Sequence, residues 1–185
     1  GGTLIGAIRH KGWVPYDGDI DVGMLEEDYK ILVKKIEEEL PKNMWFQTSD
    51  NDKYWNNKNI SKIRSLEAFY IRNEGDVRDK WHNGLQLDIL LFKNNKKLNK
   101  IIHLQNKKIF NKDVFFPLKE TLFEDINVYI PNKTDSYLTT FYKNYNIPVP
   151  IKKRKPHEGL ETFKQNDKLK QKYSYLYPAK SKKKS

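Results

Sequence analysis

Hydrophobic and polar positions change period several times along the chain, and each change marks an element. In Thr3 to His10 the apolar residues Leu4, Ile5 and Ile8 fall at helical spacing, with Gly1-Gly2 at the mouth and Lys11-Gly12 closing the turn. A short helix is expected there. After a loop through Pro15, Asp19 to Met24 alternates charge and hydrophobe (Asp-Ile-Asp-Val-Gly-Met), the period-two pattern of a strand with one apolar and one acidic face. Asp28 to Leu40 returns to helical spacing through Ile31, Leu32, Val33, Ile36 and Leu40, and Pro41 stops it. Met44 to Gln47, Ser61 to Ser65 and Ala68 to Arg72 read as strands, with an Asn/Asp-rich loop from Asp50 to Asn59. Leu85 to Phe92 reads as a buried strand interrupted by one carboxylate, Asp88. Further strands are expected near Val114 to Phe116 and Asn127 to Ile130, and a helix over Asp135 to Tyr145 before Pro148 and Pro150. Helices and strands alternate without a repeat, so the fold class is α+β, a mixed sheet flanked by helices in a single domain.

Composition narrows the function classes. The 185 residues suit one domain, and 24 aromatics (4 Trp, 11 Tyr, 9 Phe) are too many for a disordered chain. No apolar run approaches the ~18 to 20 residues of a membrane-spanning helix, so no transmembrane segment is expected. The absence of cysteine removes thiol nucleophiles and thiolate metal sites. It leaves the compartment open. With Gly1-Gly2 first and no initiating Met, the sequence reads as a fragment that has lost its N-terminal neighbours.

The formal net charge of +11 invites a nucleic-acid reading, but the position of the charge argues against it. Residues 151–185 hold 12 of the 35 basic and 3 of the 24 acidic residues, which leaves the rest of the chain at only +2. No nucleic-acid partner is expected. Lys180 to Ser185 is a run of like charge that should be solvated and disordered.

The chemistry is concentrated in three carboxylates. Residues two apart on an extended chain point to one side, so Asp19 and Asp21 can converge on a cation while Ile20 and Val22 enter the core. Mg²⁺ is commonly held by one or two carboxylates plus substrate phosphates and water. Asp88, inside Leu-Gln-Leu-Asp-Ile-Leu-Leu, must be paired or exposed, because an isolated charge in a core costs several kcal/mol. If its strand adjoins that of Asp21, three acids meet at one point. Removing the Asp88 charge should then relieve repulsion and leave the fold intact. Gly1-Gly2 at a helix mouth can offer backbone N–H groups and the positive end of the helix dipole to a phosphate.

The stretches Gly1 to Gly12 (Gly-Gly-Thr-Leu-Ile-Gly-Ala-Ile-Arg-His-Lys-Gly) and Pro15 to Gly23 (Pro-Tyr-Asp-Gly-Asp-Ile-Asp-Val-Gly) closely resemble the signature of the LicD family, which includes fukutin and fukutin-related protein. Leu87-Asp88-Ile89, Phe116-Pro117-Leu118, Phe123-Glu124 before Val128-Tyr129-Ile130-Pro131, and Tyr137-Leu138 with Tyr142 and Pro148 match in the same order. The resemblance implies a nucleotidyltransferase fold over residues 1–150; residues 151–177 are expected to pack on it as an extension, and the charge run makes 178–185 a basic, disordered tail. It also implies that Asp19, Asp21 and Asp88 are the catalytic acids and hold Mg²⁺ (or Mn²⁺). The implied partners are a CDP-activated small alcohol as donor and a glycan hydroxyl as acceptor. The product would carry phosphocholine, ribitol phosphate or a similar group. Tyr16 stands where relatives usually have Trp, and Gly18 where they often have an acid.

Around these acids, Gly1, Gly2, Thr3 and Arg9 are the candidate donor-phosphate contacts. Asp17, His82 and His157 are candidates for orienting substrate. Each has a bland alternative: a tight turn for the glycines, a surface ion pair for Arg9, and a turn entering the strand for His82. Two rival functions remain at this level. One is nucleotidyl transfer with attack at the α-phosphorus of a nucleoside triphosphate, releasing pyrophosphate rather than CMP. The other is a non-catalytic adaptor that binds RNA or anionic membrane through the basic tail.

Overall fold

The computed structural model describes residues 1–15, 17–52, 55–66 and 85–153. Helix α1 (Gly2–Arg9) leads into strand β1 (Ile20–Leu25), and helix α2 (Glu26–Glu39) follows directly. Three acids in the first turn of α2, Glu26, Glu27 and Asp28, complement its dipole. At its other end Leu40 is extended, as a residue before proline must be. Strands β2 (Met44–Gln47), β3 (Ile60–Ser65), β4 (Gln86–Asn95), β5 (Lys100–His103) and β6 (Ile109–Asn111) come next. A single helical turn, α3 (Lys112–Phe115), precedes the hairpin β7 (Lys119–Phe123) and β8 (Ile126–Ile130), and α4 (Thr134–Thr139) and a 3₁₀ turn (Ile151–Lys153) end the described chain.

The main sheet has six strands in the order β2-β3-β4-β5-β6, with β1 added in parallel to β4. Strand β4 is the organiser. Its first half is paired on both sides, antiparallel to β3 and parallel to β1, and its second half continues beside β5. Alternation along β4 then divides the molecule into two layers. Ile89 and Leu91 pack with Ile36 of α2 and Phe46 of β2. On the opposite face Phe92, with Leu90 beside it, joins Ile5, Ile101, Phe110, Phe115, Tyr137 and Leu138 beneath α1, α3 and α4. Aromatic rings dominate this second layer, with Phe92, Phe110, Phe115 and Tyr137 in edge or tilted contacts at 5.2–5.5 Å. The same face of β4 that ends in aromatic core begins with Asp88.

An α+β fold with one mixed sheet is what the pattern predicts. Several elements differ in detail. Val114 to Phe116 is a helical turn rather than a strand, because Val114 and Phe115 bury one side of α3 and Pro117 forces Phe116 to be extended. The helix expected over Asp135 to Tyr145 stops at Thr139. The Thr139 and Thr140 hydroxyls bond back to the carbonyls of Asp135 and Ser136 at 2.8 and 2.9 Å, and the chain folds over so that the Tyr145 hydroxyl donates to Asp135 at 2.9 Å. Val22, expected in the core, is 36% exposed. Strands β5, β6 and β7 were not expected, and the strand expected over Ala68 to Arg72 lies outside the described residues, as does the tail at 178–185. Among the described residues no helix is long and apolar enough to cross a membrane.

Candidate functional site

Asp21 and Asp88 occupy the same register position on the parallel strands β1 and β4. Neighbouring strands lie about 4.8 Å apart, so the two side chains leave one face of the sheet side by side. Asp19 stands immediately before β1, which begins at Ile20. Burial pushes the Asp21 carboxyl above the usual range, the charges of Asp19 and Asp88 add to the shift, and Lys62 opposes it more weakly. The structure thus brings together the acids that the sequence singled out. Among the described residues, however, no three acidic or imidazole side chains form a set that could hold a metal ion unaided.

The first turn of α1 abuts these acids. A Cβ on Gly1 would lie 2.0 Å from Asp21 Oδ2, and one on Gly2 would lie 2.0 Å from Asp17 Oδ2. With both carboxylates in these positions, only glycine fits at the helix mouth without one of them shifting. The N-cap Gly1 makes no side-chain hydrogen bond to α1. The Thr3 hydroxyl accepts a hydrogen bond from the Asp21 backbone N–H at 2.9 Å, which fastens β1 to the helix. Gly1, Gly2, Thr3 and Asp17 therefore converge with Asp21. Arg9 does not. It lies at the other end of α1, about 10 Å along the axis, where its guanidinium donates to the Tyr145 carbonyl and to His10 Nδ1. His82 and His157 lie outside the described residues.

Lys62 is the residue that sequence reasoning passed over. It pairs in register with Asp88 from the other side, and its ammonium donates to both Asp88 oxygens at 2.6 Å. Both side chains are buried, and the ammonium also lies 4.6 Å from the centre of the Trp55 ring. Asp88 is thus paired, as its surroundings require, and the partner is Lys62. A signal was present: Lys62 and Arg64 alternate with Ser61 and Ile63, which places two cations on one face of a strand. Arg64 continues the polar face, donating to Gln47 at 2.7 Å while Gln47 donates to Asp52 at 2.7 Å, all three buried. The Tyr142 phenol, pushed up by burial and then by the charges of Asp21, Asp17 and Asp19, stands within electrostatic reach of the same acids.

Fold and site together define a class: an α+β domain on one mixed sheet, with carboxylates of adjoining strands gathered at the open end of a helix. Residues 1–133 match the family described as LicD/FKTN/FKRP, nucleotidyltransferase domain, and the chain belongs to that family. It is 31% identical over 153 residues to the ribitol-5-phosphate transferase FKTN of Mus musculus, a match covering 80% of this chain and 29% of that protein. Over 47 residues it is 51% identical to the lipopolysaccharide cholinephosphotransferase LicD of Haemophilus influenzae, covering 25% of this chain and 14% of that one. An uncharacterized Rickettsia prowazekii protein matches at 29% over 148 residues, or 78% of this chain and 46% of its own length. The chain spans less than half the length of each of these relatives.

Proposed function

We propose that this domain transfers a phospho-alcohol group, such as phosphocholine or ribitol phosphate, from a CDP-activated donor to a glycan hydroxyl, with Mg²⁺ or Mn²⁺ as cofactor. The observation that carries the reading is the register match of Asp21 with Asp88 beside a helix mouth against which the Asp17 and Asp21 carboxylates are packed. Membership of the family and the activities named for two relatives support the reaction class.

The donor set suits a hard cation, because it is all carboxylate oxygen and leaves room for phosphate and water. Asp19 and Asp21 would hold the ion, with Asp88 as the adjoining third acid. When bound, such an ion neutralises charge on the reacting phosphoryl group. The protein's own part is positioning. The opening N–H groups of α1 bind donor phosphate oxygens, and the Thr3 hydroxyl keeps Asp21 against that turn. A carboxylate of the centre takes the proton from the acceptor hydroxyl as its oxygen attacks the phosphorus distal to cytidine. The new O–P bond replaces the bond to the bridging oxygen, and CMP leaves with that electron pair.

A donor-hydrolysis screen over CDP-choline, CDP-ribitol, CDP-glycerol and nucleoside triphosphates tests this without an acceptor. CMP release from one CDP-alcohol, lost in EDTA and restored by excess Mg²⁺, is the expected result. Pyrophosphate release from a triphosphate, or full activity in EDTA, overturns it.

A further inference from the structure

Four side chains stand in register across four adjoining strands: Asp21 of β1, Asp88 of β4, Lys62 of β3 and Gln47 of β2. Asp88 is therefore flanked by an anion on one side and a cation on the other. The cation is buried and held at close range. Its Nζ lies 2.6 Å from each Asp88 oxygen, its side chain is 5% exposed, and the Trp55 ring lies 4.6 Å away. An ammonium in that position satisfies one lone pair on each Asp88 oxygen and offsets the charge that a second metal ion would otherwise neutralise. A divalent ion bridging Asp21 and Asp88 would have to share Asp88 with a positive charge held within hydrogen-bonding distance of it.

We propose that Lys62 is a built-in cation that stands in for a second metal ion, so that the centre takes one divalent ion on the Asp19 and Asp21 side. Asp88 is then left to orient or deprotonate the acceptor through its remaining lone pairs, rather than to bind metal. This rests on the reading of the acids as a metal centre, and it goes beyond that reading by fixing the stoichiometry and dividing the labour among the three acids. It also separates two designs that share the same acids. Two-metal sites clamp both the attacking and the leaving oxygens with ions, whereas here one of those positions is held by a lysine.

Direct Mn²⁺ binding, read by calorimetry or by the spin-resonance signal of free Mn²⁺, tests this apart from activity. Wild-type protein is expected to bind one Mn²⁺ per chain. Asp21→Asn should remove that binding, whereas Asp88→Asn should keep one site with affinity within about threefold. Lys62→Met should bind a second Mn²⁺ or bind the first at least tenfold more tightly, because Asp88 is released. If Lys62→Met fails to fold, Lys62→Gln, which keeps a hydrogen-bond donor for Asp88 without the charge, should show the same gain, and the double variant Lys62→Met/Asp88→Leu should return to one site. Two sites in wild type, loss of binding in a folded Asp88→Asn, or no change in a folded Lys62→Met overturns the inference and leaves the metal centre standing. No Mn²⁺ bound by wild type overturns both.

Discussion

The Thr3 hydroxyl and the Asp21 backbone N–H are joined at 2.9 Å, so a single bond ties the first turn of α1 to the strand that carries the acids. Thr3→Ser keeps the acceptor, whereas Thr3→Val keeps the shape and leaves a part-buried N–H unpaired. That loss costs about 1–3 kcal/mol. Thr3→Val should lower the denaturant midpoint accordingly and reduce turnover at least tenfold, with Thr3→Ser close to wild type. Identical unfolding curves for the two variants would count against the bond.

Gly2 and Gly6 sit one turn apart on α1 but are constrained by different neighbours. A Cβ on Gly2 meets a carboxylate of Asp17, which can swing away, whereas one on Gly6 lies 2.2 Å from the Gly12 carbonyl oxygen, which is backbone. Gly2→Ala should therefore leave thermal stability within a few degrees and cost most of the turnover. Gly6→Ala should mainly destabilise, by roughly 1–3 kcal/mol as overpacking does.

Removal of one partner from the Asp88 and Lys62 pair leaves a buried charge alone. Repulsion among the acids alone would make loss of the Asp88 charge stabilising, and the lysine reverses that sign. Asp88→Leu should destabilise by about 3–5 kcal/mol, and Lys62→Met added to it should recover most of the loss. A double-mutant cycle in chemical denaturant measures the coupling directly.

Asp17 and Asp19 differ in role although they are only two residues apart. Asp17 lies against Gly2 at the helix mouth, while Asp19 adjoins Asp21 and raises its carboxyl pKa. Asp19→Asn should abolish turnover, and Asp17→Asn should lower it by tenfold or less, as loss of an orienting acid does. Equal and complete losses would make Asp17 a direct participant.

His103 is buried between the Phe92 and Phe141 rings, and burial pushes its imidazole down to about 4. Its Nδ1 has no hydrogen-bond partner. The unfolded chain binds this proton near pH 6.5 and the folded one does not, so the stabilising effect is complete above pH 6.5 and is lost as pH falls to about 4. The loss is at most roughly 3 kcal/mol. His103→Phe should flatten this part of the stability profile between pH 6.5 and 4 while leaving the rest unchanged, as read from thermal unfolding across that range.

Legibility in the sequence followed the physical scale of each signal. Long amphipathic elements such as α2, and the apolar β4 with its lone acid, were visible because a dozen residues vote for one period. Strands β5 and β6 are three or four residues long and set among Lys and Asn, too short to establish any period. Helix α4 was overestimated because its apolar spacing persists past Thr139, while the threonine hydroxyls that turn the chain leave no trace in that spacing. At the site, Asp19 and Asp21 were legible from neighbouring positions. The Asp88 and Lys62 pair joins residues 26 apart, and only strand pairing brings them together.

The double pairing of β4 has a consequence for how the site comes into being. A slip of one residue would turn Leu87 or Ile89 toward the acids and press Asp88 against Ile36 and Phe46 in the layer under α2. Misaligned chains would thus bury a charge in oil and expose two core hydrophobes at once. Assembly of the acidic centre and completion of the apolar core are therefore a single event, and a compact sheet with a scrambled centre is selected against by its own packing.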